Sequence, residues 1–233
     1  MKTIQTILIA VCCFGFTLVA TAQNDNDIDI EILRLPDLQN ESDQALLRQR
    51  AKECVKQMNS YITSMTKQAQ RDDEGEMHPT RQDREACRLA ALELFMNNGE
   101  AIILPDGTWG KPVQMETSVI RGSSTTTKRQ AVKDYFTRLI KLVEGTPPYY
   151  AELKITSCDI ESMDVTKIEK VGDKFQCVVT YYQDFVGRRP DFRSYADWTR
   201  KKIVVNFVPI HSPWGDEVVP RLGDISVIET ERR

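Results

Sequence analysis

The strongest constraint on this chain is a change of rhythm along it: apolar residues recur every three or four positions early on and every second position later. Leu47, Ala51, Cys54, Val55, Met58, Ile62 and Met65 form one stripe on a helix that Ser42 can cap and that runs to about Ala69. The stripe reads as a core face rather than a cofactor box. Thr80 followed by Asp83 has capping-box spacing, and the helix it opens carries Cys87, Ala91, Leu94 and Phe95 on one side until Gly99 closes it. AIIL, the Pro105-Asp106-Gly107 turn and VQMETSVI predict a hairpin. A Ser/Thr-rich loop then leads to a third helix over about 128–143, with Val132, Tyr135, Phe136, Leu139, Ile140 and Val143 inward; Gly145 and Pro147-Pro148 stop it. Beyond it, ELKITSCDI, DVTKIEKV, KFQCVVTYYQDF, residues 195–208 and VVPRLGDISVIE read as strands divided by GD, GRRPD and HSPWGDE turns. Helices segregated from a strand meander predict an α+β domain.

Ahead of that domain, residues 1–22 read as a secretory signal peptide. Lys2 supplies the positive start, ILIAVCCFGFTLVA the apolar stretch, and Ala20-Thr21-Ala22 the small-x-small cleavage site before Gln23. The apolar run falls short of the roughly 20 residues of a membrane anchor and is followed directly by NDNDID. Cys12 and Cys13 have bulky neighbours, unlike a lipoprotein cysteine. The expected address is therefore periplasmic or secreted, with no membrane span after leader removal. Residues 23–40 read as a flexible acidic arm, in which Ile28, Ile30 and Ile32 alternate like an edge strand, and 41–233 as one domain. DNDID resembles the start of a calcium loop, but Ile30 and Pro36 stand where its glycine and glutamate belong, so no metal is expected. The net charge of −3 argues against a nucleic-acid partner.

Export makes disulfides possible for Cys54, Cys87, Cys158 and Cys177. A hairpin at Gly172-Asp173 sets Val171 opposite Lys174 and Cys177 opposite Ile168. Cys158 then lies roughly 33 Å along the strand, far beyond the ~7 Å reach of a bridge, unless the early strand breaks and folds back. Cys54 with Cys87 is the favoured pair; four free thiols are the alternative. No CxxC or Cys/His spacing points to zinc or thioredoxin chemistry.

The element order, and within it METSVIRGSSTTTKRQAVKDYFTRLI, YADWTRKKIVV and RLGDISVIET, is similar to that of the NTF2-like (cystatin-like fold) superfamily, and resembles in particular uncharacterised exported proteins of Gram-negative gut anaerobes. The resemblance implies an NTF2-like cone, three helices packed on a curved antiparallel sheet. It also implies that the sheet's exposed face can support a homodimer. It implies no shared activity, since the scaffold hosts enzymes, binders and assembly modules alike.

Candidate chemistry lies where two strands change character. In 174–186 the odd positions Phe175, Cys177, Val179, Tyr181 and Phe185 are apolar or aromatic, with Gln183 the exception. In the next strand the inward parity of Ile203, Val205 and Phe207 continues backwards to Lys201, Thr199, Asp197 and Tyr195. Three readings stand: a strand end leaving the core for solvent, which is favoured; a ligand contact made by Tyr181, Gln183, Tyr195, Asp197, Thr199 and Lys201; or proton transfer by Asp197 beside a tyrosine. His78, His211 with Asp216 and Glu217, and the GSSTTTKR stretch with Lys128 and Arg129 read as connector, turn and capping loop, and no hydrolase, metalloprotease or phosphate-loop motif is present. Residues 187–202 interleave Arg188, Arg189, Arg193 and Trp198, which suits an acidic partner or, the favoured reading, protection of a sheet edge. The expected function is a cofactor-free, non-enzymatic binding module that takes a small ligand in a cone-shaped pocket or a protein partner on its sheet. The alternative is a cofactor-free lyase or isomerase with an Asp/Tyr acid–base pair.

Overall fold

Asn40, two residues earlier than expected, caps the first helix: its side-chain oxygen accepts the Ser42 amide at 2.9 Å, and Ser42 itself lies inside α1 (Glu41–Thr66). The computed structural model describes residues 40–233 except 72, 146, 172–173 and 213–214. The expected leader, nearly all of the acidic arm, the Gly172-Asp173 turn and the side chains of His211 and Asp216 lie outside the described residues. The predicted stripe of α1 is buried from Leu47 to Met65. The helix stops short of Ala69 where Thr66 turns its hydroxyl to the Ile62 carbonyl and Lys67 goes extended.

A two-stranded ribbon, β1 (Gln70–Arg71) and β2 (Met77–His78), connects to α2 (Arg81–Glu93). The Thr80–Asp83 capping box forms as read, and His78 lies 3.3 Å from the Asp83 carboxylate. Buried Arg84 donates to the Met65 carbonyl, tying α2 to the end of α1. Gly99, at φ +77°, has space for no side chain, since a Cβ there would stand 2.5 Å from Val132 Cγ1.

The predicted hairpin is replaced by a different one. AIIL contributes only a bridge between Ile103 and Trp109, both exposed, around the Pro105-Asp106-Gly107 turn. VQMETSVI instead forms β3 (Gln114–Arg121), paired over eight residues with β4 (Ser124–Ala131), so the expected Ser/Thr loop is a strand. Consecutive threonines favour extended backbone, and Gly122 at φ +62° makes the turn. The third helix, α3 (Val132–Val143), accordingly begins four residues late, with Val132, Tyr135, Phe136, Leu139 and Ile140 buried as read and Val143 only half-buried.

The remainder is β5 (Glu152–Ser157), a short 3-10 turn, β6 (Asp164–Val165), β7 (Glu169–Val171), β8 (Lys174–Arg188), β9 (Ser194–Ser212) and β10 (Gly215–Arg232). The sheet runs β4-β3-β10-β9-β8-β5, with β6 and β7 also on β8. Val171 faces Lys174 as predicted, but the early strand breaks into three pieces along β8 and Cys158 sits at Tyr182, whose carbonyl accepts its amide. The fold is α+β, three helices on a large, mainly antiparallel sheet. It departs from a pure meander at one point: β3 joins β10 in parallel through Ile225 and Met115. Register breaks in β10 around Ile225 interrupt its ladder. The Asp224 and Glu116 carboxylates accept the Gln114 and Val227 amides in its place.

The core lies between the helices and one sheet face. All four described cysteines are free thiols, which corrects the expected Cys54–Cys87 pair. Cys54 belongs to the sheet-facing stripe of α1 and points its thiol at the Pro220 carbonyl, 4.0 Å away on β10, not at α2. No helix among the described residues is long and apolar enough to cross a membrane.

Candidate functional site

The β8–β9 hairpin keeps one unbroken register over fourteen residue pairs, from Phe175 opposite Phe207 to Arg188 opposite Ser194. With no bulge to reverse parity, the inward face read from alternation holds throughout. At one end it presents Cys177, Val179, Ile203, Val205 and Phe207. Further along, the pairs are Tyr181 with Lys201, Gln183 with Thr199, Phe185 with Asp197 and Gly187 with Tyr195.

The favoured reading of this second half as a solvated strand end is corrected. Asp197 and Lys201 are each only 4% exposed and Thr199 6%. The β3–β4 ribbon, α3 and the Tyr149-Tyr150 segment wall off the region, enclosing an open-mouthed cavity of about 770 Å³. Gln183, Tyr195, Asp197, Thr199 and Lys201 line it together. Tyr181, at 1% exposure, lies beneath the floor and is not part of the lining. Along the mouth, Tyr149, Tyr150, Phe185 and Tyr195 make successive edge-to-face contacts with centroids 4.8–5.9 Å apart.

A buried polar relay supports the floor. Lys201 Nζ donates to Gln183 Oε1 at 2.7 Å, Gln183 Nε2 donates to Asn59 Oδ1 at 2.8 Å, and Asn59 Nδ2 donates to the Val55 carbonyl at 2.9 Å. Burial lowers the Lys201 ammonium to about 8, with the Asp197 charge opposing the shift. Asp197 stands four residues away on the same face, roughly 13 Å at strand rise. Burial raises its pKa, while the Tyr195 hydroxyl and Lys201 pull it back. Tyr195 is pushed up to about 12, first by burial and then by its hydrogen bond to Asp197. Its oxygen also accepts the Ile120 amide at 3.0 Å, which fastens β9 to the β3–β4 ribbon.

The basic stretch proves to be divided. Arg188 bridges to Glu152 of the neighbouring β5 at 3.0 Å, so it lies inside the sheet's pairing; the edge-protection reading is corrected, because β8 and β9 are interior strands. Arg189 lies over the Tyr149 ring at 4.8 Å, Arg193 pairs with Asp191, and both reach the cavity mouth. Trp198 has the opposite parity and packs on Tyr182 of the other sheet face. In the GSSTTTKR stretch, Lys128 lines the cavity whereas its neighbour Arg129 turns away to Asp224.

Sequence reading missed Asn59, Gln130, Arg138 and the two tyrosines after the third helix. Asn59 alone had a signal, a polar side chain inside an apolar stripe. The others come from segments whose place beside β8–β9 no local pattern specifies. No cluster of His, Cys, Asp and Glu among the described residues is arranged to hold a metal ion. Compared with known proteins, the chain matches no family model, no curated protein and no solved structure at a significant level.

Proposed function

We propose that this chain is an exported, non-enzymatic binding module of NTF2-like architecture, taking a small ligand in the cavity walled by β3–β4, α3 and β8–β9. One observation carries the reading: the polar half of the inward sheet face is withdrawn from bulk water yet borders open volume, as a ligand site requires. Its size falls within the range of small-molecule pockets. The outer sheet face, with Trp198 and Tyr182, is the second surface in this proposal, for a homodimer or another protein.

Native mass spectrometry on protein purified from its own host tests the cavity. The expected result is a one-to-one adduct that disappears when Thr117→Trp fills the volume; a bare protein in both cases would end the ligand reading. N-terminal sequencing of the exported chain should begin at Gln23, and sedimentation reports the dimer.

The lyase or isomerase reading has one observation in its favour, the buried Asp197 carboxyl with its heightened proton affinity. Against it, Tyr195 is committed as donor to Asp197 and acceptor from Ile120, and its raised pKa makes it a poor proton donor. Asp197→Asn separates the two: a binding module keeps its adduct, and an enzyme loses turnover.

A further inference from the structure

The charges around the cavity run against those of the whole chain. The protein carries a net −3, yet Lys201, Arg138, Lys128, Arg121, Arg189 and Arg193 all line this one volume. Asp197 is the single acid among the lining residues, and it already accepts the Tyr195 hydroxyl. The surplus is of donors as well as of charge. Lys201 has three N–H groups, one of them given to Gln183. The Gln130 amide nitrogen and Arg189 Nε are buried without a partner among the described residues. A buried donor left unmet forfeits its hydration with nothing in return. What they lack is an acceptor. Beside them the lining is apolar and aromatic: Leu139, Leu142, Tyr150 and Phe185.

We infer that the cavity takes an amphipathic organic anion, its carboxylate, sulfate or phosphate oxygens held by the cations and N–H donors led by Lys201, its apolar body against Tyr150, Phe185 and Leu139. The inference rests on the binding reading above and names the ligand class. Exposed Arg121, Lys128 and Arg138 steer the anion inward, an effect that salt screens within about 8 Å at physiological strength. Lys201, almost fully buried, acts at short range.

Two fluorescent probes with the same aromatic body test it: anilinonaphthalene sulfonate, an anion, and phenylnaphthylamine, its neutral counterpart. The sulfonate should bind at one site about ten-fold tighter in low salt, the scale of one good charge contact. Lys201→Met should remove most of that advantage and leave the neutral probe unchanged. Arg138→Gln, an exposed position that spares the fold, should cost the sulfonate about three-fold and flatten its salt dependence. Equal affinity for the two probes, or an unchanged ratio in both variants, overturns the anion assignment while the binding module stands. Absence of saturable binding by either probe, or binding unaffected by Thr117→Trp, overturns the cavity reading along with it.

Discussion

The two halves of the β8–β9 hairpin share a register, a face and an extended backbone, and differ in what covers them. Around Phe175–Phe207 the inward side chains pack as part of the core. Around Gln183–Thr199 they meet the rim of an open volume. Alternation alone therefore makes a face, and the covering elements decide whether that face becomes core or site. The core half should respond to lost volume, and the cavity half to charge and shape.

Truncation at the core end should have the largest effect. Phe207 is 1% exposed, so Phe207→Ala should cost about 4 kcal/mol in denaturant unfolding; a loss under about 1 kcal/mol would erase the proposed contrast. In the cavity half, the sensitive position is Gly187, where an added Cβ would stand 2.5 Å from Tyr150 Cε1. Gly187→Ala should displace that ring, destabilise by about 2 kcal/mol and loosen ligand binding at the mouth, as followed by probe fluorescence. Unchanged stability and binding would mean that Tyr150 is not held there.

A charge effect comes next. Lys201 sheds its proton near pH 8 in the fold, against 10.5 for an ordinary lysine. Between those values the unfolded chain holds more protons, so stability rises with pH. Relative to Lys201→Met, the protein should gain about 1 kcal/mol from pH 7 to 9. Cys54 and Cys177, both pushed up to about 12 by burial, pull the other way above pH 9. Both proteins carry those thiols, so they cancel in the difference. A flat difference would place Lys201 in water. Smallest is Asp197→Asn, which removes a carboxylate whose ionisation burial disfavours and should change stability at pH 7 by less than about 0.5 kcal/mol or raise it slightly. A large loss would assign that carboxylate a structural ion pair.

Much of this fold was legible locally. The α1 stripe, the Thr80–Asp83 box, the buried side of α3 and the inward parity of β8 and β9 all follow from side-chain geometry repeated at fixed periods. Reading failed where a segment's state depends on its partner. The GSSTTTKR stretch is polar enough for a loop, and becomes a strand because β3 pairs with it from Ser124 onward. Cys54 and Cys87 lie on adjacent helices, but Cys54 faces β10.

From the order of its residues alone, this chain's α+β class and the side of each main element that turns inward could be derived, because backbone sterics operate over a few residues. Which polar side chains share one enclosed space was settled only by tertiary structure. The parallel joining of β3 to β10 and the folding of α3 and Tyr149-Tyr150 over the far end of β8–β9 bring Lys128, Arg138, Gln183 and Lys201 around one cavity. Contacts between residues so distant in the chain leave no period to read, and they determine whether a buried polar side chain finds a partner, meets water or borders a site.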